Sequence, residues 1–472
     1  MVFSSVIFLF YFFPLTICVY HLLNVKYKNY FLLAASLFFY AWGEPAFVFV
    51  MAGVIMANYC AGVLIECAKK ILLKKIIVFI SVVINIGILV YYKYFSFLLE
   101  SVNEIGRVFF AHSKIPVPEI ILPIGLSFFI FQGLSYVIDV YRKDTEAQKN
   151  PFKLALYISL FPQLIAGPIV RYTDISKEID NRNVKIEDAY YGFARFIVGL
   201  AKKVAIADVL AGRADQIFSL GRGYQITPLI AWIGAIFYTL QIYFDFSAYS
   251  DMAIGLGRLF GFHFRENFDL PYISTSITEF WRRWHISLSL WFRDYLYIPM
   301  GGNRKGNVYL HLIIVFCCTG IWHGANWTFV VWGIWHGIFI LIERLLKKKN
   351  LCIHIPKTVR WIYTMLVVIL GWVLFRSDTI KDGIMYVVTM FGRQPQAFQW
   401  YNVWYFLDAQ VVFTLVLAIL LGLGVQNKLS AVMPSNRTLL FGVKSIILCL
   451  LLIYSLSMVV NGNYSPFIYF RF

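Results

Sequence analysis

Continuous apolar stretches, separated by short basic connectors, make up most of this chain. The first five runs fall at about 3–23, 30–43, 46–66, 76–98 and 120–141; further segments crowd 153–346, and a closing group runs from about 359 to 460. None alternates with the period of two that a half-buried strand requires, and several approach the roughly 20 residues that a helix needs to cross a bilayer. The pattern predicts transmembrane helices and argues against a β-barrel. The middle third is irregular, interrupted by Phe161-Pro162, Ala166-Gly167-Pro168, Gly221-Arg222-Gly223, Pro271, Pro299 and Gly301-Gly302. Such breaks predict short, tilted or re-entrant helices around a cavity, because unpaired backbone at membrane depth survives only where protein or water covers it. With no 20–50 residue repeat and no low-complexity linker, one membrane domain over residues 1–472 is expected. It would comprise N-terminal spans (1–150), a core (151–346) and C-terminal spans ending in an aromatic tail (347–472).

Composition narrows this to an all-α polytopic membrane protein. Hydrophobic residues make up 60% of the chain and charged ones only 14%, which is too oily for a soluble globular protein. The net charge of +17 would suggest nucleic acid, but its lysines and arginines sit in the connectors. Lys26 and Lys28, then Lys69, Lys70, Lys74 and Lys75, then Arg142, Lys143, Lys149 and Lys153 follow alternate runs. This is a positive-inside pattern, with these loops cytoplasmic, Met1 outside and no nucleic-acid partner required. The seven cysteines form no CxxC pair and are expected to pack rather than bridge or bind metal. Met1 to Leu23 has neither a basic leader nor a small-residue cleavage site, so a retained first helix is expected.

The tripeptide Trp-His-Gly occurs twice, at 322–324 and 335–337, within otherwise apolar sequence. A titratable imidazole in lipid is costly, and such groups tend to mark reaction centres or transport paths. Arg304 and Lys305 precede the first apolar stretch, and Lys347, Lys348 and Lys349 end the second. Both basic ends belong in the cytoplasm, so the chain must enter the membrane and return. About 14 residues at ~1.5 Å each reach only about 21 Å, short of a roughly 30 Å core. His323 is therefore expected at a turn inside the membrane, with Gly320 and Gly324 allowing close approach. The alternative for His323 is an interhelical hydrogen bond. His336 lies too far along the second helix to share a metal with it and is expected to be structural.

Residues 277–300 read as one helix of two characters. Arg282, His285 and Ser289 recur on one face, beside an aromatic stripe of Trp281, Trp284, Leu288 and Trp291. An interfacial amphipathic helix would look the same. Functionally, Arg282, Arg283 and Arg293 would grip an anionic donor such as a phosphate-bearing coenzyme or phosphopantetheine arm. Asp245, Asp251 and Glu279 bring carboxylates nearby in sequence, and the segment from Tyr243 to Asp251 has the polar dotting of a substrate-lined helix.

With these motifs in view, the chain resembles the membrane-bound O-acyltransferase superfamily, and within it the bacterial alginate O-acetyltransferase branch. The likeness runs over almost the whole length. It is carried by Met1-Val-Phe-Ser-Ser, Pro123-Ile-Gly-Leu-Ser-Phe-Phe, Phe161-Pro-Gln-Leu-Ile-Ala-Gly-Pro-Ile, Tyr243-Phe-Asp-Phe-Ser-Ala-Tyr-Ser-Asp, Phe280-Trp-Arg-Arg-Trp-His-Ile-Ser-Leu and Ile321-Trp-His-Gly-Ala-Asn-Trp. The resemblance implies a multi-helix bundle around a central funnel, in the plasma (inner) membrane of a bacterium. An acetyl group would pass from a cytoplasmic thioester toward an extracytoplasmic polysaccharide, either an alginate-like exopolysaccharide or peptidoglycan. It further implies that His323 is catalytic and that His285 lines the cytoplasmic side of the passage. The tail Phe467-Ile-Tyr-Phe-Arg-Phe472 resembles the aromatic signature of the polysaccharide-acetylating branch, in which Tyr469 would be a transient acyl acceptor. That signature commonly has glutamine where Arg471 stands, and an interface anchor is the plainer reading of the tail.

No permanently bound cofactor and no metal are expected. The donor would be acetyl-CoA or an acylated carrier protein, both bringing phosphate to Arg282, Arg283, Arg304 and Lys305. The partner implied by the family is an extracytoplasmic, SGNH-hydrolase-like acetyltransferase. Neutral His323 would take the proton of the accepting hydroxyl as it attacks the thioester. Three competing readings remain: a D-alanyl exporter of the teichoic-acid branch, a transporter without chemistry, and a scaffold for a polysaccharide complex. The aromatic tail and length weigh against the first, and the absence of inverted halves against the second. The third needs no histidine in lipid.

Overall fold

The structure, a computed structural model, describes residues 1–109, 115–221, 226–350, 355–393, 401–425, 437–462 and 467. These residues fold as helices with no strand among them. In chain order the helices are α1 (Phe13–Leu22), α2 (Val25–Ala41), α3 (Val48–Cys67), α4 (Ile71–Leu89), α5 (Phe95–Phe109), α6 (Leu126–Arg142), α7 (Pro151–Ser159), α8 (Phe161–Leu164), α9 (Tyr172–Asp180) and α10 (Ile186–Ala201). They continue with α11 (Asp208–Gly221), α12 (Pro228–Leu259), α13 (Ile277–Arg283), α14 (Ile286–Phe292), α15 (Val308–His323), α16 (Trp327–Lys348), α17 (Lys357–Arg376), α18 (Ile380–Met390), α19 (Ala409–Gly422) and α20 (Arg437–Asn461). Six stretches among the described residues are long and apolar enough to cross a membrane: Val48–Cys67, Ile71–Arg107, Pro228–Leu259, Trp327–Lys348, Lys357–Arg376 and Phe441–Asn461. The chain is thus an all-α, multi-pass membrane protein. Its most outward-facing spans, Ile71–Arg107 and Phe441–Asn461, carry apolar side chains that only lipid would suit.

The chain separates into two compact units, one formed by residues 1–193 with 253–265, the other by 194–252 with 266–472. In the first, two groups of polar side chains pair inside the bundle. Asn58 and Asn85 exchange side-chain hydrogen bonds of 3.0 and 3.1 Å between α3 and α4, with Ser81 beside them. Arg182 donates to the Tyr20 hydroxyl, the Phe260 carbonyl and Asn29 Oδ1. Around them Phe3, Phe8, Phe12, Phe39 and Phe161 form a fully apolar aromatic core.

In the second unit, α15 and α16 form the expected hairpin. Asn307 caps α15 by accepting from the Tyr309 and Leu310 amides, and Asn326 caps α16 by accepting from Thr328. Between them only Gly324 to Asn326 turn the chain, and His323 is the last residue of α15. Glycines let the two backbones touch. A Cβ at Gly320 would strike the Phe329 carbonyl, one at Gly333 the Phe316 carbonyl, and each would lie 3.3 Å from the other glycine's Cα.

One expectation is corrected. Residues 277–300 form two short helices broken at Trp284-His285, where His285 adopts a left-handed conformation (φ 44°, ψ 55°). The cause lies upstream in sequence. The Ile286 amide donates to the Asn267 carbonyl (3.0 Å) and the Ser287 amide to Asn267 Oδ1 (3.2 Å), which pulls the chain out of helical register. A left-handed non-glycine residue costs about 1–2 kcal/mol and persists only where neighbours over-determine it.

Candidate active site

His323 is buried, its imidazole standing edge-to-face on three rings: Trp322 (centroids 5.0 Å), Trp332 (5.1 Å) and Phe375 (5.2 Å). Trp322 also contacts the His285 ring at 5.9 Å, so one indole links the two histidines. His285 is fully buried, with Phe246 of α12 edge-on at 4.6 Å. Phe246 and Tyr249 in turn hold Phe467, buried at 6.0 and 4.8 Å from them. A continuous series of ring contacts therefore runs from Phe467 through Phe246, His285 and Trp322 to His323. Tyr469, two residues after Phe467 in sequence, lies outside the described residues, as does Arg471.

His285 lies in the connection between α12 and α15, outside the helices of membrane-spanning length. Burial holds its pKa well below the ordinary imidazole value, so the ring is neutral. Asn267 Oδ1 faces Nδ1 at 3.1 Å and also accepts from the Ser287 hydroxyl at 2.8 Å, while Asn267 Nδ2 donates to Ser250 Oγ at 3.1 Å. His285 Nε2 has no hydrogen-bond partner among the described residues.

The structure divides the predicted arginines. Arg282 is exposed, has no ion-pair or hydrogen-bond partner among the described residues, and lines a cleft of about 230 Å³. Ser289, Thr278, Thr319 and Arg293 line the same cleft, with Trp281, Leu288 and Phe316 among its apolar walls. The predicted face of Arg282 and Ser289 is thus realised without His285, which the kink turns into the interior. Arg283 is engaged instead with Asp269 (2.9 Å) and Glu279 (3.1 Å). Burial alone would raise the Glu279 carboxyl, but hydrogen bonds from Thr275 and Arg283 outweigh it and hold the pKa below its ordinary value. Arg304 and Lys305 are exposed in the turn before α15. Glu343 of α16 ties down the start of α13 by accepting from the Ile277 and Thr278 amides and the Thr278 hydroxyl.

The α12 carboxylates do not serve the histidines. Asp245 pairs with Lys203 at 2.8 Å, and Asp251 with Arg195 and Lys202 at 2.7 and 2.6 Å. The segment from Tyr243 to Asp251 is buried rather than open to a passage. His336 sits in a cage of Trp281 (5.1 Å), Trp332 (5.1 Å) and Phe280 (6.5 Å), fully buried, with neither ring nitrogen partnered among the described residues. Sequence reading missed Asn267, Phe246, Trp332 and Phe375 as parts of this centre. No spacing signal points to Asn267, whose partners are 17 and 18–20 residues away.

A helical membrane protein with a histidine buried at a hairpin tip, and with a cleft rimmed by arginine, has the parts of a membrane acyl-transfer enzyme. Residues 148–375 match the membrane-bound O-acyltransferase family. The chain is 46% identical over 401 residues to a probable alginate O-acetylase, AlgI, of Pseudomonas putida, covering 83% of this chain and 80% of that protein. It is 35% identical over 428 residues to the peptidoglycan O-acetyltransferase of Helicobacter pylori (83% and 80%). It is 27% identical over 272 residues to the teichoic acid D-alanyltransferase of Bacillus subtilis (54% and 67%). The chain belongs to the membrane-bound O-acyltransferase family and is an acyltransferase.

Proposed function

We propose that this protein takes an acetyl group from a cytoplasmic thioester and transfers it across a bacterial inner membrane for O-acetylation of an extracytoplasmic polysaccharide, an alginate-like exopolysaccharide or peptidoglycan. The observation that carries this reading is that His323, buried at the tip of a hairpin, is joined through the Trp322 ring to the buried His285, which Phe246 links to Phe467 of the aromatic tail. The likeness to an alginate O-acetylase and a peptidoglycan O-acetyltransferase supports the acetyl group and the polymer.

In this mechanism a nitrogen of neutral His323 takes the proton of the accepting hydroxyl as its oxygen attacks the thioester carbonyl carbon. The tetrahedral adduct collapses with loss of the thiolate, which recovers the proton from the imidazolium, leaving an ester, a free thiol and neutral His323. The aromatic shell excludes water, so transfer outcompetes hydrolysis of the thioester. Arg282 and Arg293, at the cleft rim, with Arg304 and Lys305 nearby in sequence, would bind the phosphates of acetyl-CoA or of an acyl carrier's arm. Tyr469 would be the first acceptor, forming an aryl ester whose acetyl group then passes to a sugar hydroxyl on a partner acetyltransferase of SGNH-hydrolase type.

The test is peptide mass spectrometry of purified protein after exposure to isotopically labelled acetyl donor, comparing wild type with His323→Ala and Tyr469→Phe. Acetyl on Tyr469 that vanishes in both variants is expected. Sugar acetylation without labelled tyrosine would leave direct transfer. Labelled D-alanine supplied in parallel, and retained in place of acetyl, would move the protein to the D-alanyl branch. Turnover unaffected by His323→Ala would overturn the reading.

A further inference from the structure

Asn267 makes more contacts to the His285 turn than any capping role needs. Its carbonyl accepts from the Ile286 amide, and its side-chain Oδ1 faces the Ser287 amide, the Ser287 hydroxyl and His285 Nδ1. The orientation of this amide is fixed twice over. A backbone N–H can only donate, so the atom facing Ser287 must be the carbonyl oxygen, and Nδ2 is then left to reach Ser250 Oγ on α12. A carbonyl oxygen can only accept, so the proton shared with His285 must reside on Nδ1. A neutral imidazole carries one proton, and Nε2 is therefore a bare lone pair. That lone pair is fully buried and has no partner among the described residues, an arrangement that costs stability unless another group satisfies it.

We propose that Asn267 is a positioning residue that holds His285 in the Nδ1–H tautomer, so that Nε2 accepts a hydrogen bond from an amide N–H of the acyl donor. The proposal rests on the acyl-transfer reading above. In that mechanism the proton of the accepting hydroxyl goes to His323, so it is not available to His285. The donors nearest the sulfur on either thioester are the two amides of its pantetheine arm, with the arm's hydroxyl farther along. An acceptor-only nitrogen is matched to such an amide, and the opposite tautomer would set N–H against N–H. The strained backbone of His285 fits this role, because the same three-residue grip that costs the turn its helical geometry also prevents the ring from rotating away. Nearby charges do not compete for the ring. Glu266 is paired with Arg195, Asp269 and Glu279 with Arg283, Asp251 with Arg195 and Lys202, and Asp245 with Lys203, while Arg282 lines the cleft.

Two measurements test it. In membranes carrying the full-length protein, the probe is whichever of acetyl-CoA and acetylated carrier protein supports His323-dependent transfer by the wild type. Asn267→Ala is expected to raise the donor KM about tenfold with kcat within threefold. Asn267→Asp, which keeps an acceptor oxygen, is expected to restore KM to within threefold of wild type. An unchanged KM in Asn267→Ala, or equal defects in both variants, would overturn the proposal. Independently of whether those variants fold, ¹⁵N NMR of histidine-labelled wild type, with His285 assigned by its loss in His285→Gln, should show Nδ1 protonated and Nε2 bare. The reverse pattern sinks the proposal. Loss of the positioning role while His323→Ala still abolishes turnover leaves the acyl-transfer reading intact, whereas turnover surviving His323→Ala removes both.

Discussion

The same three residues, Trp-His-Gly, occupy two very different settings. In the first copy the histidine closes α15 at a turn, shares Trp322 with a second buried imidazole, and is flanked by the glycine contact that brings α15 against α16. In the second copy the histidine lies in mid-helix, caged by Phe280, Trp281 and Trp332, with no partner at either nitrogen among the described residues. A Cβ at Gly337 would lie 3.1 Å from Ile313, tight but open to a small shift of that side chain, whereas Gly324 has no room at all beside the Phe329 ring. In both copies the glycine thus lets a neighbouring side chain come close, and the chemistry depends on whether the intervening imidazole reaches a turn.

Four changes would break or sharpen this contrast. His323→Ala should lower transfer by about 10³-fold or more, in the range that removing a general base commands, at unchanged protein level; base-released acetate from the polymer fraction reads it. Gly320→Ala should cost on the order of 3 kcal/mol by forcing a methyl against the Phe329 carbonyl, seen as a lowered unfolding temperature in detergent and a matching loss of activity. Arg282→Gln should raise the donor KM about tenfold, the worth of one charge-assisted phosphate contact, whereas Arg283→Gln should change it by less than threefold because that guanidinium is already paired. His336→Phe should leave transfer within threefold of wild type and the protein no less stable, since a ring of similar shape removes two buried polar atoms that have no partner among the described residues. A collapse of activity in His336→Phe would erase the distinction between the two copies.

Much of this was legible before any coordinates. The hairpin follows from basic residues at both ends of two apolar stretches, the first too short to span, and the caps at Asn307 and Asn326 stand where the pattern breaks. The pairing of Arg283, which was expected to grip the donor, had a local signal that went unread, because Glu279 lies four residues before it on a helix. What escaped was the kink at His285. Residues 277–300 contain only one proline, at 299, no glycine, and a helical periodicity throughout, so every local signal favours a continuous helix. The break is imposed by a side chain 18 residues upstream, and such a tertiary constraint leaves no trace in local spacing. The α12 carboxylates escaped for a related reason. Asp245 and Asp251 look like substrate-facing groups until Lys203, Lys202 and Arg195 are brought against them.

The place of Phe467 has a consequence for how the protein is made. The ribosome completes every helix described here before it reaches this residue. Until Phe467 settles onto Tyr249 and Phe246, the nascent chain has its two histidines but lacks the outermost ring of the series that leads to them. That series of ring contacts is thereby completed only at a late moment of biosynthesis, after the described helices have been made.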